Sequence, residues 1–242
     1  MARIAYGEAE AAAFAATRHL DRAGLAHWEA AIRAHLRPTP GQRVLDLGSG
    51  TGMWASAFTD WYGVEVVAIE PSAAMRARSI HPGVRAGHAD ALPLKDASMD
   101  AAWLSTVIHH FPDLPAAAAE LRRVLRPGAP VLIRAVFAGR HDGITQFRYF
   151  TEAIRVVDTF PTVADVTTAF GAAGFELVAL DRVSQATGAS LAQIAANMTR
   201  AAHSPLQLIT DEEYAAGLAR MRAAASTETG PVVDSLDLLV LR

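Results

Sequence analysis

The sequence predicts an α/β protein: a seven-stranded, mostly parallel sheet with helices on both faces. Three observations carry that expectation. From Gly41 onward, short apolar runs alternate with segments of helical periodicity, the pattern of repeated βαβ units. The first run, Arg43-Val-Leu-Asp-Leu47, leads straight into the turn Gly48-Ser-Gly-Thr-Gly52 at the edge where doubly wound sheets bind nucleotides. At 242 residues the chain suffices for one large domain with a buried core.

Each element has its own signal. Residues 8–37 are alanine-rich, with Phe14, Leu20, Leu25, Trp28, Ile32 and Leu36 at helical spacing, until Pro38 and Pro40 stop the pattern. Two helices are expected there, as an N-terminal lid over residues 1–40, followed by the main domain over 41–242. Strand 43–47 is followed by a helix over 52–62, closed by Gly63. Strand 64–69 comes next, and Pro71-Ser72 opens a helix reaching residue 79. A short third strand is expected at 83–87 and a fourth at 99–105. Pro112-Asp113 then starts a helix that ends at Pro127-Gly128, and a fifth strand spans 131–137. A polar loop over 138–145 leads to a helical region at 146–158 and a helix at 163–173, ended by Gly174. The sixth strand is 175–183 and the last is the apolar run 232–241. The stretch between them is too long for a bare loop and has helical periodicity at 190–202 and 211–225. It is expected to form a helical cap, with cap insertions at about 138–160 and 186–230.

Composition narrows the function. Apolar residues make up 51% and charged residues 19%, the balance of a soluble globular protein. A net charge of −3 gives no general attraction to a phosphate backbone, so a nucleic-acid partner is not expected. Cysteine is absent, which excludes thiolate metal sites and Cys nucleophiles and fits a cytoplasmic setting. No signal peptide and no membrane span are read, and a monomer or homodimer is expected. No metal is expected.

The strongest motif is Val44-Leu-Asp-Leu-Gly-Ser-Gly-Thr-Gly52. Glycine is needed where backbone approaches a ligand closely or takes positive φ. A dinucleotide fingerprint G-x-G-x-x-G from Gly48 would require glycine where Met53 stands, which tells against NAD. Asp46, inside the strand, is an acceptor suited to an ammonium group rather than to a pyrophosphate.

On these residues, and most specifically over 44–130, the sequence resembles the class I S-adenosylmethionine-dependent methyltransferases, in particular the methyltransferase type 11 group that includes quinone-biosynthesis enzymes. The resemblance implies a Rossmann-like domain, S-adenosyl-L-methionine as cofactor with S-adenosyl-L-homocysteine as product, and methyl transfer to O, N or C of a small-molecule acceptor. It places the methionine part of the cofactor on Gly48, Ser49 and Gly50, with Asp46 positioning it directly or through water. Glu70, ending the second strand, can accept both hydroxyls of a ribose. By resemblance, Pro71 and Met75 wall the adenine, Asp90 accepts from its exocyclic amine with Ala89 and Ala91 alongside, and Ser105 lies under the methionine.

His110 and His109 follow the carboxyl end of the fourth strand, where a neutral imidazole could take a proton from the acceptor; His110 is the first choice. The resemblance also folds the N-terminal segment over the cofactor. There Arg18 could grip its carboxylate, and Tyr6 and Phe14 could face the methyl-transfer end. Arg134, Phe137, Arg148, Tyr149 and Phe150 sit where related enzymes line the acceptor pocket; of these, Phe137, Arg148 and Tyr149 are the candidate acceptor contacts, beside Tyr6 and Phe14. The long cap and an alanine- and arginine-rich coding bias point to bacterial secondary metabolism. Two rival functions stay open: a cyclase or isomerase that binds the cofactor without methyl transfer, and a methyltransferase acting on macromolecules.

Overall fold

The computed structural model describes residues 6–17 and 22–242. Helix α1, Glu8–Thr17, and helix α2, Ala26–Leu36, precede the sheet. Trp28, Ile32 and Leu36 recur every four residues and are buried as one stripe of α2. Strand β1, Arg43–Leu47, runs into helix α3, Met53–Tyr62, which ends on Gly63 in the left-handed conformation. Strand β2, Glu65–Ile69, is followed by helix α4, Ala73–Ala77, capped by the Ser72 hydroxyl. Strand β3, Ala101–Ser105, leads through a 3-10 turn at Ile108–His110 to helix α5, Leu114–Val124, capped by Asp113 with proline in its first turn.

Strand β4, Val131–Ala135, precedes the expected helical region, which is built of short pieces: α6, Thr145–Tyr149, a 3-10 turn at Thr151–Ala153, and α7, Ile154–Val157. Helix α8, Val163–Ala172, starts with a Thr162–Asp165 capping box. Strand β5, Leu177–Gly188, runs beyond its expected end. The cap follows as α9, Leu191–Asn197, α10, Ser204–Gln207, and α11, Asp211–Ala224; β6, Val232–Leu241, ends the chain as the apolar run predicts.

The described sheet has six strands in the order β2-β1-β3-β4-β6-β5. Pairings among β1 to β4 are parallel, whereas β6 lies antiparallel to both β4 and β5. The seventh strand expected at 83–87 is reduced to a single parallel bridge between Arg85 and Ile69. Only two backbone hydrogen bonds join it to β2, from Arg85 N to Ala68 O at 3.0 Å and from Glu70 N to Arg85 O at 3.0 Å. The reason is local: Pro82 cannot donate, Gly83 takes φ 74°, and too few residues remain before Gly87 for a ladder to form.

Side chains alternate across the strands and so divide the core in two. Val44, Trp103, Leu132 and Leu238 pack toward α2, α3 and the cap. Leu45, Leu104, Ile133 and Leu239 pack toward α5 and α8 on the other face. Among the described residues, no helix is long and apolar enough to cross a membrane.

Candidate active site

The turn after β1 is built of glycine because side chains would collide there. A Cβ on Gly48, at φ +74°, would sit 2.3 Å from Val107 Cγ2. One on Gly52, at φ +79°, would sit 2.4 Å from Ser79 Oγ and 2.9 Å from the His81 amide nitrogen. The turn is tied to β2 by the Gly48 and Ser49 amides, which both donate to Ile69 O. Glu70 then braces it from the side: Oε2 accepts from Gly50 N at 2.9 Å and Oε1 from Ser72 N at 2.8 Å. Burial raises the Glu70 pKa, and the two amides and Arg76 oppose that shift. Each oxygen keeps a second lone pair for a ligand.

A cavity of about 670 Å³ opens over this turn. Gly48, Gly50 and Glu70 form its floor; Pro71, Met75, Ala89 and Asp90 form one side, and Tyr6, Phe14 and His110 another. These predicted residues, from five separate stretches of sequence, are therefore brought together. α1 lies over the cavity because Ala11 packs with Ala74 and Met75 of α4, and because the Ser72 hydroxyl donates to Tyr6 O at 2.8 Å. An ion pair between Glu8 and Arg78 at 2.6 Å holds the same helix from outside.

Other predicted residues lie elsewhere. Asp46 and Ser49 are buried beneath the turn, outside the cavity lining, and Asp46 Oδ2 and Ser49 Oγ have no hydrogen-bond partner among the described residues. Burial, and then the nearby charge of Glu70, push the Asp46 carboxyl up to about 8. Ala91 is exposed and bridges to His88, and Ser105 Oγ accepts from Arg134 at 3.2 Å, facing away from the large cavity. Arg18 lies outside the described residues.

The two histidines part company. His110 lines the large cavity, its Nε2 3.5 Å from the Tyr6 hydroxyl, and burial lowers its pKa to about 4. His109 lines a second cavity of about 210 Å³ and stacks on Phe160, with ring centroids 4.2 Å apart and planes at 12°. Burial, and then His110, hold His109 well below its ordinary pKa, and its Nε2 is buried without a hydrogen-bond partner among the described residues. Both imidazoles are thus neutral at neutral pH. Tyr6 and Phe14 line both cavities and form the partition between them. The Tyr6 hydroxyl is also 2.8 Å from Ser204 Oγ of the cap.

Three expected acceptor contacts are corrected. Phe137 is fully buried in the α5–α8 core, because Val136 takes the cavity-facing position and the next side chain points to the opposite face. Arg148 is exposed and pairs with Glu228 at 3.2 Å, and the Tyr149 hydroxyl donates to the same carboxylate at 3.0 Å. On α6 it is Phe147 that turns into the cavity, one helical step before them.

Sequence reasoning missed Gln185, Thr187, His203, Ser204 and Asp234, all of which line the smaller cavity. Their one signal is that Gln185 and Asp234 are polar residues at the buried phase of β5 and β6. Arg134, noted from the sequence, lines it too; its guanidinium donates to Gln185 Oε1 at 2.5 Å and lies 4.9 Å over the Trp28 ring. No cluster of three or more His, Cys, Asp or Glu suited to a metal occurs among the described residues.

Comparison with known proteins agrees with this geometry. Residues 45–133 match the methyltransferase domain family. A malonyl-(acyl-carrier protein) O-methyltransferase of Serratia marcescens is 34% identical over 143 residues, 57% of this chain and 56% of that protein. The chain thus spans about half the length of the curated relatives it matches. Among solved structures, a protein of Anabaena variabilis designated a methyltransferase from an antibiotic biosynthesis pathway superposes with a TM-score of 0.68 at 20% identity, covering 90% of this chain and 97% of the other. The 4+2 cyclase SpnF superposes with a TM-score of 0.61 at 19% identity, covering 93% and 83%. At these identities the structural likeness speaks for the fold alone, while the sequence match covers the glycine turn, Glu70 and Asp90. Over residues 45–133, which hold the glycine turn, Glu70 and Asp90, the chain is similar to the methyltransferase domain family.

Proposed function

We propose that this chain transfers a methyl group from S-adenosylmethionine to an oxygen, nitrogen or carbon atom of a small molecule. One observation carries the reading: the Glu70 carboxylate, each oxygen pinned by a backbone amide, faces a large cavity whose floor is the bare backbone of Gly48 and Gly50. A carboxylate held this way suits a vicinal diol, and a floor that a Cβ would disrupt suits a chain lying flat on it. The donor set fits the group: Glu70 for the ribose hydroxyls, Asp90 for the adenine amine, Pro71 and Met75 beside the ring. Asp46 Oδ2, unpartnered beneath the turn among the described residues, suits the ammonium end, reached through water.

Held by Gly48, Gly50, Glu70 and Asp90, S-adenosylmethionine would supply an electrophilic methyl group for an acceptor atom that loses a proton on transfer. The chain's own residues do the rest. Tyr6 and Phe14 line both cavities and shape the boundary between them, which positions the acceptor against the donor. His109 lines the smaller cavity and His110 the larger, so His109 stands on the acceptor side and is the candidate to take the acceptor's proton. A second reading, as a cyclase or isomerase, keeps every binding contact and removes only the transfer.

Glu70→Ala is expected to weaken S-adenosylhomocysteine binding by about 1–3 kcal/mol, measured by calorimetry. Unchanged affinity overturns the ribose assignment. His109→Ala is expected to lower turnover and leave that affinity unchanged. Release of S-adenosylhomocysteine across a panel of small phenols, amines and carboxylates tests the transfer; binding without release for any acceptor favours the cyclase reading.

A further inference from the structure

The smaller cavity has a chemistry of its own, separate from the cradle under Glu70. At about 210 Å³ it holds about seven waters at roughly 30 Å³ each, or about ten bonded non-hydrogen atoms, which pack more closely. Its near end is the flat pair of His109 and Phe160, stacked 4.2 Å apart, with His109 Nε2 buried and unpartnered among the described residues. Phe147, Met198, Val136 and Leu236 supply apolar walls.

At the β5–β6 end stands Asp234, buried, paired in register with Gln185. Its Oδ1 accepts from Thr145 N at 2.8 Å, and no hydrogen bond to Oδ2 is made among the described residues. Arg134 in the same wall donates from Nη1 to Ser105 and from Nη2 to Gln185, and its guanidinium stacks over Trp28. Asp234 Oδ2 is the carboxylate oxygen left open at that end; it calls for a donor, and its charge, in no ion pair among the described residues, opposes a second carboxylate.

We propose that the smaller cavity binds the methyl acceptor as a flat aromatic molecule of about ten non-hydrogen atoms, with a phenol or aryl amine toward His109 and a second, hydrogen-donating group, hydroxyl or ammonium, on Asp234. This rests on the methyl-transfer reading, since an occupant of the smaller cavity is a methyl acceptor only if the larger one, across Tyr6 and Phe14, holds the donor. Asp234 acts in binding and orientation, not in the chemical step.

The test is a calorimetric titration of the S-adenosylhomocysteine-loaded protein with three compounds of similar length: 4-hydroxybenzylamine, 4-methylphenol and 4-hydroxybenzoate. The amine is expected to bind about tenfold more tightly than 4-methylphenol, and 4-hydroxybenzoate more weakly than both. Asp234→Asn keeps an oxygen for the Thr145 amide and removes the charge. It is expected to cut the advantage of the amine to under about threefold and to leave S-adenosylhomocysteine affinity unchanged. Equal or tighter binding of the benzoate, an unaltered ranking in the variant, or binding of none of the three overturns the proposal. Failure of S-adenosylhomocysteine itself to bind, seen in the loading step, instead overturns the donor-site reading.

Discussion

Asp46 couples the site to stability through a single proton. Its carboxyl ionises near 3.8 when unhindered and is pushed up to about 8 in the fold, by burial first and by Glu70 second. Between those values the folded chain keeps a proton that the unfolded chain has released, so stability falls as pH rises across the window and levels off above it. Asp46→Asn removes that loss. The variant is expected to match the parent near pH 3.5 and to exceed it by on the order of a few kcal/mol at pH 8.5, in urea unfolding without ligand. Equal pH profiles for the two proteins would show that Asp46 is ionised in the fold. The residue-level chemistry legible in the sequence was of this kind: Asp46, the glycines and Glu70 lie close together along the chain, and strand-turn-helix geometry fixes where they go. Phe137, Arg148 and Tyr149 were misjudged because facing a cavity depends on the phase of a strand or helix, and a shift of one residue reverses it.

At the scale of elements, the cap is seated by one close contact. Gly217 lies mid-helix in α11, and a Cβ there would sit 2.3 Å from Cδ1 of Phe150, whose ring is fully buried. Glycine to alanine inside a helix ordinarily gains about 1 kcal/mol. Here the added methyl has to displace a ring that core packing holds, so Gly217→Ala is expected to destabilise by about 1–3 kcal/mol in thermal melts. A gain would mean that α11 yields without resistance. Helices with strong caps, such as α5 behind Asp113 and α8 behind Thr162, were legible to within a residue or two. The expected strand at 83–87 was not, since its apolar texture says nothing of whether enough donors line up against β2. The length of β5 was hidden too, because its outer half is set by pairing with β6, far along the chain.

For the whole molecule, the two cavities differ in how they are assembled, and that explains how far each could be foreseen. The larger one is made by consecutive βα units plus α1, whose residues announce themselves by motif. The smaller one draws on β3, β4, α6, the cap and both antiparallel strands, so its walls exist only once the sheet has closed on β6. All four tryptophans of the chain, Trp28, Trp54, Trp61 and Trp103, sit in one edge-to-face and tilted cluster, with neighbouring centroids 4.9 to 6.2 Å apart. At such spacing an absorbed photon is shared among them, so the cluster emits as one lamp. One of its indoles, Trp28, donates at 3.1 Å to Gln185, which walls the smaller cavity, and none of the four borders the larger one. The intrinsic fluorescence should therefore change colour or brightness when the smaller chamber fills and stay nearly constant when only the larger one does, giving each occupant its own optical signature in the unlabelled protein.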